Sequence, residues 1–217
     1  MGALIVIEGI DSSGKETQGK LLVDYLLKIG HKAVFLSFPM YKTPTGKIFR
    51  DCVLDKKNTS FFKEGYSNID PEVVCLYTAA DRKYNSHQIE KYLNDDYIVV
   101  INRYTSSNMA NQASKYETSD ERFYMYQWID KLEYWLLKLP KPDCTILLKM
   151  PHKYKSQVTF PLFDQNVNET KVFNAYLELQ ELYNWDSIDC VKNDKQKSIS
   201  EIHEEIIELL KTKKFIA

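Results

Sequence analysis

Between Gly9 and Thr17 the sequence reads GIDSSGKET, and a short apolar run from Ala3 to Ile7 comes directly before it. Gly9 and Gly14 bound a loop, and Lys15 then opens a segment with helical periodicity. Glycine lets the backbone curl so that its N–H groups converge on an anion, and the N-terminus of the following helix adds a positive dipole. The order of strand, glycine-bounded loop and helix therefore predicts a phosphate-binding P-loop.

The loop departs from the usual P-loop pattern at one position. The Ser or Thr that normally follows the lysine and holds Mg²⁺ is replaced by Glu16. Lys15 is expected to reach the β- and γ-phosphates of a nucleoside triphosphate. The whole loop is expected to contact those phosphates: Gly9, Ile10, Asp11, Ser12, Ser13, Gly14, Lys15, Glu16 and Thr17. A surface turn before a helix is the alternative explanation, which the order of the elements disfavours.

The bulk properties are those of an ordinary globular protein. The chain has 217 residues, of which 44% are hydrophobic and 27% charged, enough for a full core. The net charge of −1 gives no reason to expect a nucleic-acid or membrane surface. The cysteines are far apart and read as reduced thiols, not as a zinc or disulfide framework. Because no leader or bilayer-length apolar run is visible, we expect a cytoplasmic protein that binds neither nucleic acid nor a membrane.

Apolar runs alternate with helical periodicity along the chain. Five strands are predicted, at 3–8, 33–38, 97–102, 144–149 and 187–191. Helices are predicted at 15–29, 71–93, 120–139, 168–183 and 199–213. Strands that are apolar throughout are typical of a parallel sheet covered on both faces, with ligands at the carboxyl ends of its strands. We therefore predict a single α/β domain over residues 1–217, with a P-loop NTPase-type three-layer α/β/α architecture and a five-stranded parallel sheet.

Three further groups of side chains fall beside the same edge of the predicted sheet. They are FPMYK at 38–42, ADR at 80–82 and NRYTSSNMANQ at 102–112. Arg103 offers a planar fork suited to a phosphate monoester, and Asn108 and Gln112 share a helix face from which they can read a base edge. Each group also has a plain structural explanation: a proline that ends a strand, an ordinary salt bridge, and a solvated helix start.

Together these motifs resemble the thymidylate kinase family. The matching segments are the P-loop, Phe-Pro-x-Tyr at 38–41, Asp-Arg at 81–82, Arg-Tyr-x-x-Ser-Asn at 103–108 and Leu-Pro-Lys-Pro-Asp at 139–143. The resemblance covers residues 3 to 150 and fades afterwards. It implies transfer of the γ-phosphoryl group of ATP to dTMP with Mg²⁺, a homodimer formed through helices, and a short lid over ATP at about 151–168.

The resemblance also implies individual roles. Lys15 would hold the transferring phosphates, Asp11 would lie near the acceptor sugar and phosphate, and Arg103 would grip the acceptor phosphate. The remaining dTMP contacts would be Tyr41, Tyr77, Thr78, Arg82, Ser107, Asn108, Asn111 and Gln112. The lid would contribute Lys153 and Lys155, and Glu16 would bind the Mg²⁺ ion.

Several residues depart from the family pattern. Asn102 replaces an aspartate, Met40 an arginine, Thr78 a phenylalanine and Asn111 an aromatic residue; no arginine follows Arg122. Lysine neutralises charge without clamping a phosphate bidentately, so a lid without arginine is expected to slow transfer. Two alternatives therefore stay open: a relative that binds nucleotides without transferring phosphate, and a deoxynucleoside kinase of similar fold.

Overall fold

A parallel sheet of five strands forms the centre of the protein. The computed structural model describes residues 2–54, 61–151, 154 and 168–216. The strands are β1 (Ala3–Glu8), β2 (Ala33–Ser37), β3 (Ile98–Asn102), β4 (Cys144–Lys149) and β5 (Asp186–Asp189). Their spatial order is β2-β3-β1-β4-β5, with Ile5 of β1 opposite Val100 on one side and Cys144 on the other. Strands β2 and β3 therefore lie on one side of β1, and strands β4 and β5 lie on the other. This change of side makes the end of β1, where the P-loop begins, the topological switch point of the sheet.

The central strands β1 and β3 are buried on both faces, whereas the edge strands β2 and β5 are mostly half-buried. Every residue of β1 and β3 is buried, without the alternation that a half-exposed sheet would show. Helices supply the two outer layers: α1 (Lys15–Lys28), α2 (Pro44–Ile48), α3 (Pro71–Asn94), α4 (Thr105–Ala113), α5 (Ser119–Asp130), α6 (Glu169–Leu182) and α7 (Ile199–Thr212). The predicted three-layer α/β/α architecture with a five-stranded parallel sheet is confirmed.

Each face of the sheet has its own core. On one face, Leu22 and Leu26 of α1 pack with Ile206 and Leu210 of α7 against β1 and β4. On the other, Leu4 and Val6 of β1 pack with Val99 and Ile101 of β3 and with Ile89 of α3. A further cluster joins α4, α5 and α6 around the fully buried Tyr176. Those three helices are thereby fixed beside the end of β1.

The element boundaries depart from the predictions in a few places. The strand predicted over 187–191 is β5 at 186–189, and Val191–Lys192 forms a small antiparallel ladder, β6, with β7 (Lys195–Gln196). The helix predicted over 120–139 is α5 followed by a π-helical segment, Lys131–Leu136, which ends before Pro140. Helix α2, the π-helical segment Phe49–Leu54 and the 3₁₀ turn Tyr66–Asn68 were not predicted. Among the described helices, none is long and apolar enough to cross a bilayer.

Candidate active site

The loop after β1 has the backbone shape that the sequence predicts. Gly9 has φ of +145° and Gly14 has φ of +89°, a region that side chains with a Cβ rarely adopt. A Cβ on Gly9 would lie 2.7 Å from Ser13 Oγ and 2.8 Å from the Leu148 carbonyl oxygen. The loop closes with Ser13 N donating to Ile10 O at 3.3 Å, and α1 starts directly afterwards. Its N–H groups therefore precede a helix N-terminus, as a phosphate cradle requires.

Lys15 lies inside this loop. Its side chain is buried, and Nζ donates to Ile10 O at 2.5 Å and to Ser13 Oγ at 3.4 Å. Burial lowers the pKa of Lys15 to about 8, although the charge of Glu8 acts to raise it. The lowered pKa means that the negative charge near Lys15 does not compensate for the burial of its ammonium group. A bound phosphate would supply the missing negative charge.

Arg103 stands next to the P-loop, in the residue directly after β3. It has φ of +63°, and its Nη2 forms an ion pair with Asp11 Oδ1. Because β1 and β3 are adjacent and parallel, their carboxyl ends bring these two residues to one edge of the sheet. The structure thus brings together Asp11, Lys15 and Arg103, the three residues predicted to be catalytic.

Glu8, the last residue of β1, is a buried carboxylate that no sequence motif indicates. Its Oε1 accepts from Tyr104 N, Ser106 Oγ and Ser107 N at 2.9 to 3.1 Å. Its Oε2 accepts from Ser107 Oγ at 2.5 Å and from Tyr176 OH at 3.0 Å. Glu8 therefore holds the first turn of α4, and Ser107, predicted to contact the base, is one of its donors.

Arg82 forms a two-point ion pair with a second buried carboxylate, Glu133. Its Nε and Nη2 donate to the two oxygens of Glu133 at 2.5 Å each, and Nη2 also donates to Thr78 Oγ1 at 3.2 Å. Burial is the largest single influence on Arg82 and acts to lower its pKa. The charge and the hydrogen bonds of Glu133 are the main opposing influences, and the pKa of Arg82 is raised above its ordinary value. Thr78 and Arg82, both predicted to contact dTMP, are therefore neighbours, and Glu133, which was not predicted, lies against Arg82.

The two carboxamides predicted to read a base edge lie one turn apart on α4. Asn108 Nδ2 donates to Glu133 Oε1 at 3.2 Å, and Gln112 Nε2 donates to Tyr66 OH at 2.8 Å. Asn111 is turned away along its own helix, since its Nδ2 donates to Ser107 O at 2.7 Å. The side chains of Asn108 and Gln112 are thus buried and held from two different segments.

Lys115, just after α4, is a half-buried cation that no sequence motif indicates. Its Nζ donates to the carbonyl oxygens of Tyr66 and Ile69, at 3.3 and 2.9 Å, and lies 5.2 Å from the centre of the Tyr66 ring. Burial lowers the pKa of Lys115 to about 8. Lys115 therefore ties the segment around Tyr66 to the chain just after α4, beside Gln112.

The loop that carries Tyr41 is anchored by Asp81. Asp81 accepts from Met40 N and Thr45 Oγ1, both at 2.8 Å. Burial, with a smaller contribution from Asp81, raises the pKa of Tyr41 to about 12. Tyr77 contacts the ring of Phe62 edge-on, with ring centres 5.9 Å apart. The structure thus places Tyr41 against α3, on the side of the sheet where Arg82 also lies.

Glu16 lies away from the buried part of the loop. It forms an exposed ion pair with Lys20 at 2.5 Å, one turn further along α1, and Thr17 is also exposed. Within the described ranges, no group of three or more His, Cys, Asp or Glu side chains could hold a metal ion. Mg²⁺ in such sites is held largely by substrate phosphates and water with few protein ligands, so the residues present fit a phosphate-held ion. Lys153 and Lys155, predicted for the lid, lie outside the described residues.

Unsatisfied polar atoms concentrate around the same segments. In the described part of the chain, six buried side-chain polar atoms have no hydrogen-bond partner, and four of them belong to the P-loop, the end of β3 or α4. These four are Ser12 Oγ, Asn102 Oδ1, Asn108 Oδ1 and Gln112 Oε1. Buried polar atoms are nearly always paired in folded proteins, so their clustering indicates a place that a polar ligand completes.

The family model described as thymidylate kinase matches residues 7–206 of this chain. The chain belongs to the thymidylate kinase family. The thymidylate kinase of Schizosaccharomyces pombe is 27% identical, with 96% of this chain and 91% of that protein covered. A probable thymidylate kinase of Methanocaldococcus jannaschii is 33% identical, with 95% of each covered. The solved thymidylate kinase of Candida albicans superposes with a TM-score of 0.71 at 27% identity, covering 98% of this chain and 92% of that one. The resemblance to the thymidylate kinase family seen in the motifs is confirmed.

Proposed function

We propose that this chain transfers the γ-phosphoryl group of ATP to dTMP, giving dTDP and ADP, with Mg²⁺ as the metal. Family membership supports the reaction class, and the contact between Arg103 and Asp11 is the observation that carries the proposal. It joins the residue suited to an acceptor phosphate to the loop suited to a triphosphate. Phosphoryl transfer needs two anionic substrates aligned in line, and little covalent chemistry from the protein.

The roles of the residues follow from their positions. A phosphate oxygen of dTMP attacks the γ-phosphorus, and the bond from that phosphorus to the β,γ-bridging oxygen breaks as ADP leaves. Lys15 would neutralise charge on the transferring group from inside the loop, and Arg103 would hold the attacking phosphate with its planar fork. Mg²⁺ would supply charge neutralisation at the ATP phosphates. Asp11 would keep the Arg103 guanidinium at the P-loop until dTMP arrives.

Binding without transfer is a second candidate for a specific reason. No arginine follows Arg122, so the lid at about 151–168 offers only lysines, and Asn102 carries no charge. Among the residues that the structure describes, Asn102 Oδ1 is also buried without a partner, although its Nδ2 donates to Ser37 Oγ at 3.0 Å. We favour transfer because Lys15, Asp11 and Arg103 are all present at one edge of the sheet.

A substrate panel tests the proposal. ADP formation from ATP and Mg²⁺ is measured with each deoxynucleoside monophosphate and with thymidine. We expect turnover with dTMP well above the rate without an acceptor. Calorimetric binding of ATP and dTMP without turnover would favour the binding protein, and preference for thymidine over dTMP would favour a deoxynucleoside kinase.

We also propose one domain over 1–217, a cytoplasmic location and a homodimer formed through helices. Cys75, Cys144 and Cys190 are buried thiols that form no disulfide, which suits a reducing compartment. Leu76 and Tyr84 of α3 are both about half exposed and lie two turns apart on one face, which suits a helix-to-helix contact. Light scattering coupled to size exclusion would measure the mass, and a monomer at micromolar concentration would contradict the dimer.

A further inference from the structure

We propose that Glu133 is a positioning residue that sets the base preference of the acceptor site, by fixing which atom of the Asn108 carboxamide faces the base. The inference rests on the proposed function, because it concerns the acceptor of the same reaction. Glu133 comes from the π-helical segment after α5, is fully buried, and accepts hydrogen bonds from three different side chains. These donors are Arg82, Thr105 and Asn108.

The Glu133 carboxylate restricts which end of the Asn108 amide can face it. A carboxylate paired with a guanidinium only accepts hydrogen bonds, and Glu133 accepts two from Arg82 at 2.5 Å each. Asn108 can therefore approach Glu133 only with its NH₂ group, as it does at 3.2 Å. The other end of the amide, Oδ1, is left as a buried acceptor without a partner in the described part of the chain.

Gln112 provides an internal contrast. Its Nε2 meets the Tyr66 hydroxyl, which can either donate or accept, so this amide is free to turn over. Its Oε1 is likewise buried without a partner among the described residues. Asn108 has no such freedom, because reversing it would place Oδ1 against the Glu133 carboxylate. One of the two carboxamides is therefore fixed in its direction, and the other can adapt.

A fixed acceptor selects between pyrimidines. Thymine and uracil carry a hydrogen on N3, which donates, whereas N3 of cytosine is an acceptor and would face Oδ1 unpaired. A site that hydrogen-bonds its substrate strongly rejects an analogue that would leave a buried polar group of the site unpaired. Glu133 would also hold Arg82, whose Nη1 makes no hydrogen bond within the described residues. This Nη1 would donate to the 4-oxygen of thymine, whereas the 4-amino group of cytosine is itself a donor and could not accept. Both contacts favour the keto pyrimidine.

The test compares dTMP with 5-methyl-dCMP, which differ only at the N3–C4 edge of the base. For the unaltered protein we expect kcat/KM for dTMP to exceed that for 5-methyl-dCMP by about 100-fold or more. Glu133→Gln replaces the obligatory acceptor by a group that can donate, so the Asn108 amide can turn over. We expect the ratio of the two kcat/KM values to fall about tenfold or more, chiefly through KM for dTMP, while KM for ATP stays within about twofold.

Glu178→Gln is the matched control, because Glu178 also pairs with an arginine, Arg122, and accepts from Tyr126, but makes no hydrogen bond to Asn108 in the described part of the chain. This variant is expected to keep the ratio of the unaltered protein. If Glu133→Gln lowers activity on both nucleotides by the same factor, Glu133 has only a structural role and the proposal is overturned. Absence of dTMP turnover in the unaltered protein would instead overturn the proposed function.

A second measurement keeps the proposal testable if Glu133→Gln does not fold. The unaltered protein is titrated calorimetrically with dTMP and with its N3-methyl derivative, which lacks the hydrogen that Asn108 Oδ1 would accept. Binding of the derivative at least about 30-fold weaker than that of dTMP supports the fixed acceptor. Equal binding of the two overturns it.

Discussion

Replacing Glu8 by glutamine tests whether a buried carboxylate at the end of β1 organises the acceptor site. Glutamine keeps the shape of the side chain and can retain the three hydrogen bonds at Oε1, from Tyr104 N, Ser106 Oγ and Ser107 N. Its Nε2 would meet the hydroxyl groups of Ser107 and Tyr176, which can turn and accept instead of donating. The substitution therefore removes the charge and preserves the geometry.

The size of the effect follows from those bonds. A hydrogen bond to a charged group stabilises by about 1.5–3 kcal/mol and a neutral one by about 0.5–1.5 kcal/mol, so three bonds lose about 3 kcal/mol in total. The neutral side chain no longer has to be desolvated as an ion, which offsets part of this loss. We expect Glu8→Gln to lower the free energy of unfolding by about 1–3 kcal/mol. Alanine at the same position would leave five donors without their acceptor and cost more than about 4 kcal/mol.

Urea unfolding followed by tryptophan fluorescence measures the loss, and steady-state kinetics measures its consequence. Arg103 directly precedes Tyr104, whose N–H is held by Glu8, so kcat/KM for dTMP should fall about tenfold while KM for ATP changes little. Glu208→Gln on the exposed side of α7 is the matched control. If Glu8→Gln unfolds at the urea concentration of the control and keeps its kcat/KM for dTMP, Glu8 does not organise the site.

Three further substitutions or conditions address the other groups. The pKa of Lys15 is lowered to about 8, so its charge is present below that pH and lost above it; kcat/KM for ATP should decline above pH 8, and a profile flat to pH 9.5 would contradict a role for that charge. Arg103→Ala should raise KM for dTMP by about 10- to 100-fold with little change in KM for ATP, and unchanged constants for dTMP would remove Arg103 from the acceptor site. Asp81→Ala removes the acceptor of Met40 N and Thr45 Oγ1, so KM for dTMP should rise about tenfold through the Tyr41 loop, whereas an effect confined to thermal stability would show that the loop plays no part in binding.

The P-loop and the sheet were predictable because their signals are local. Two glycines around a short loop, an apolar run before it and a helix after it fix the backbone within about fifteen residues. The apolar strands also imply parallel neighbours, and this places Arg103 beside the P-loop without any contact being known. Helix α2 was missed although Thr43 followed by Pro44 is a local start signal, and Thr43 does cap that helix.

The two buried carboxylates were not predictable in the same way. Glu133 lies in the sequence LEYWLL, where a glutamate is normally exposed on a helix. If the arginine in the central helix is buried, it requires a buried acidic partner. The chain has 30 acidic residues, and the sequence does not indicate which of them is that partner. The choice of Glu133 depends on how the π-helical segment after α5 packs beside Arg82 of α3 and Asn108 of α4, which is a property of tertiary packing. Glu8 is hidden for a similar reason, because its partners follow it by about one hundred residues or more.

Both carboxylates act on the same helix, and this bears on how the acceptor phosphate is held. The N-terminus of a helix attracts anions, and α4 begins at the edge of the sheet where the acceptor is expected. Its first turn is already occupied, because Glu8 accepts from Tyr104 N and Ser107 N. Glu133 then accepts from Thr105 and Asn108 on the same helix. Because Glu8 already neutralises the positive end of the α4 dipole, the positive charge that holds the acceptor phosphate must come from a side chain. Arg103, beside Asp11, is placed to provide that charge.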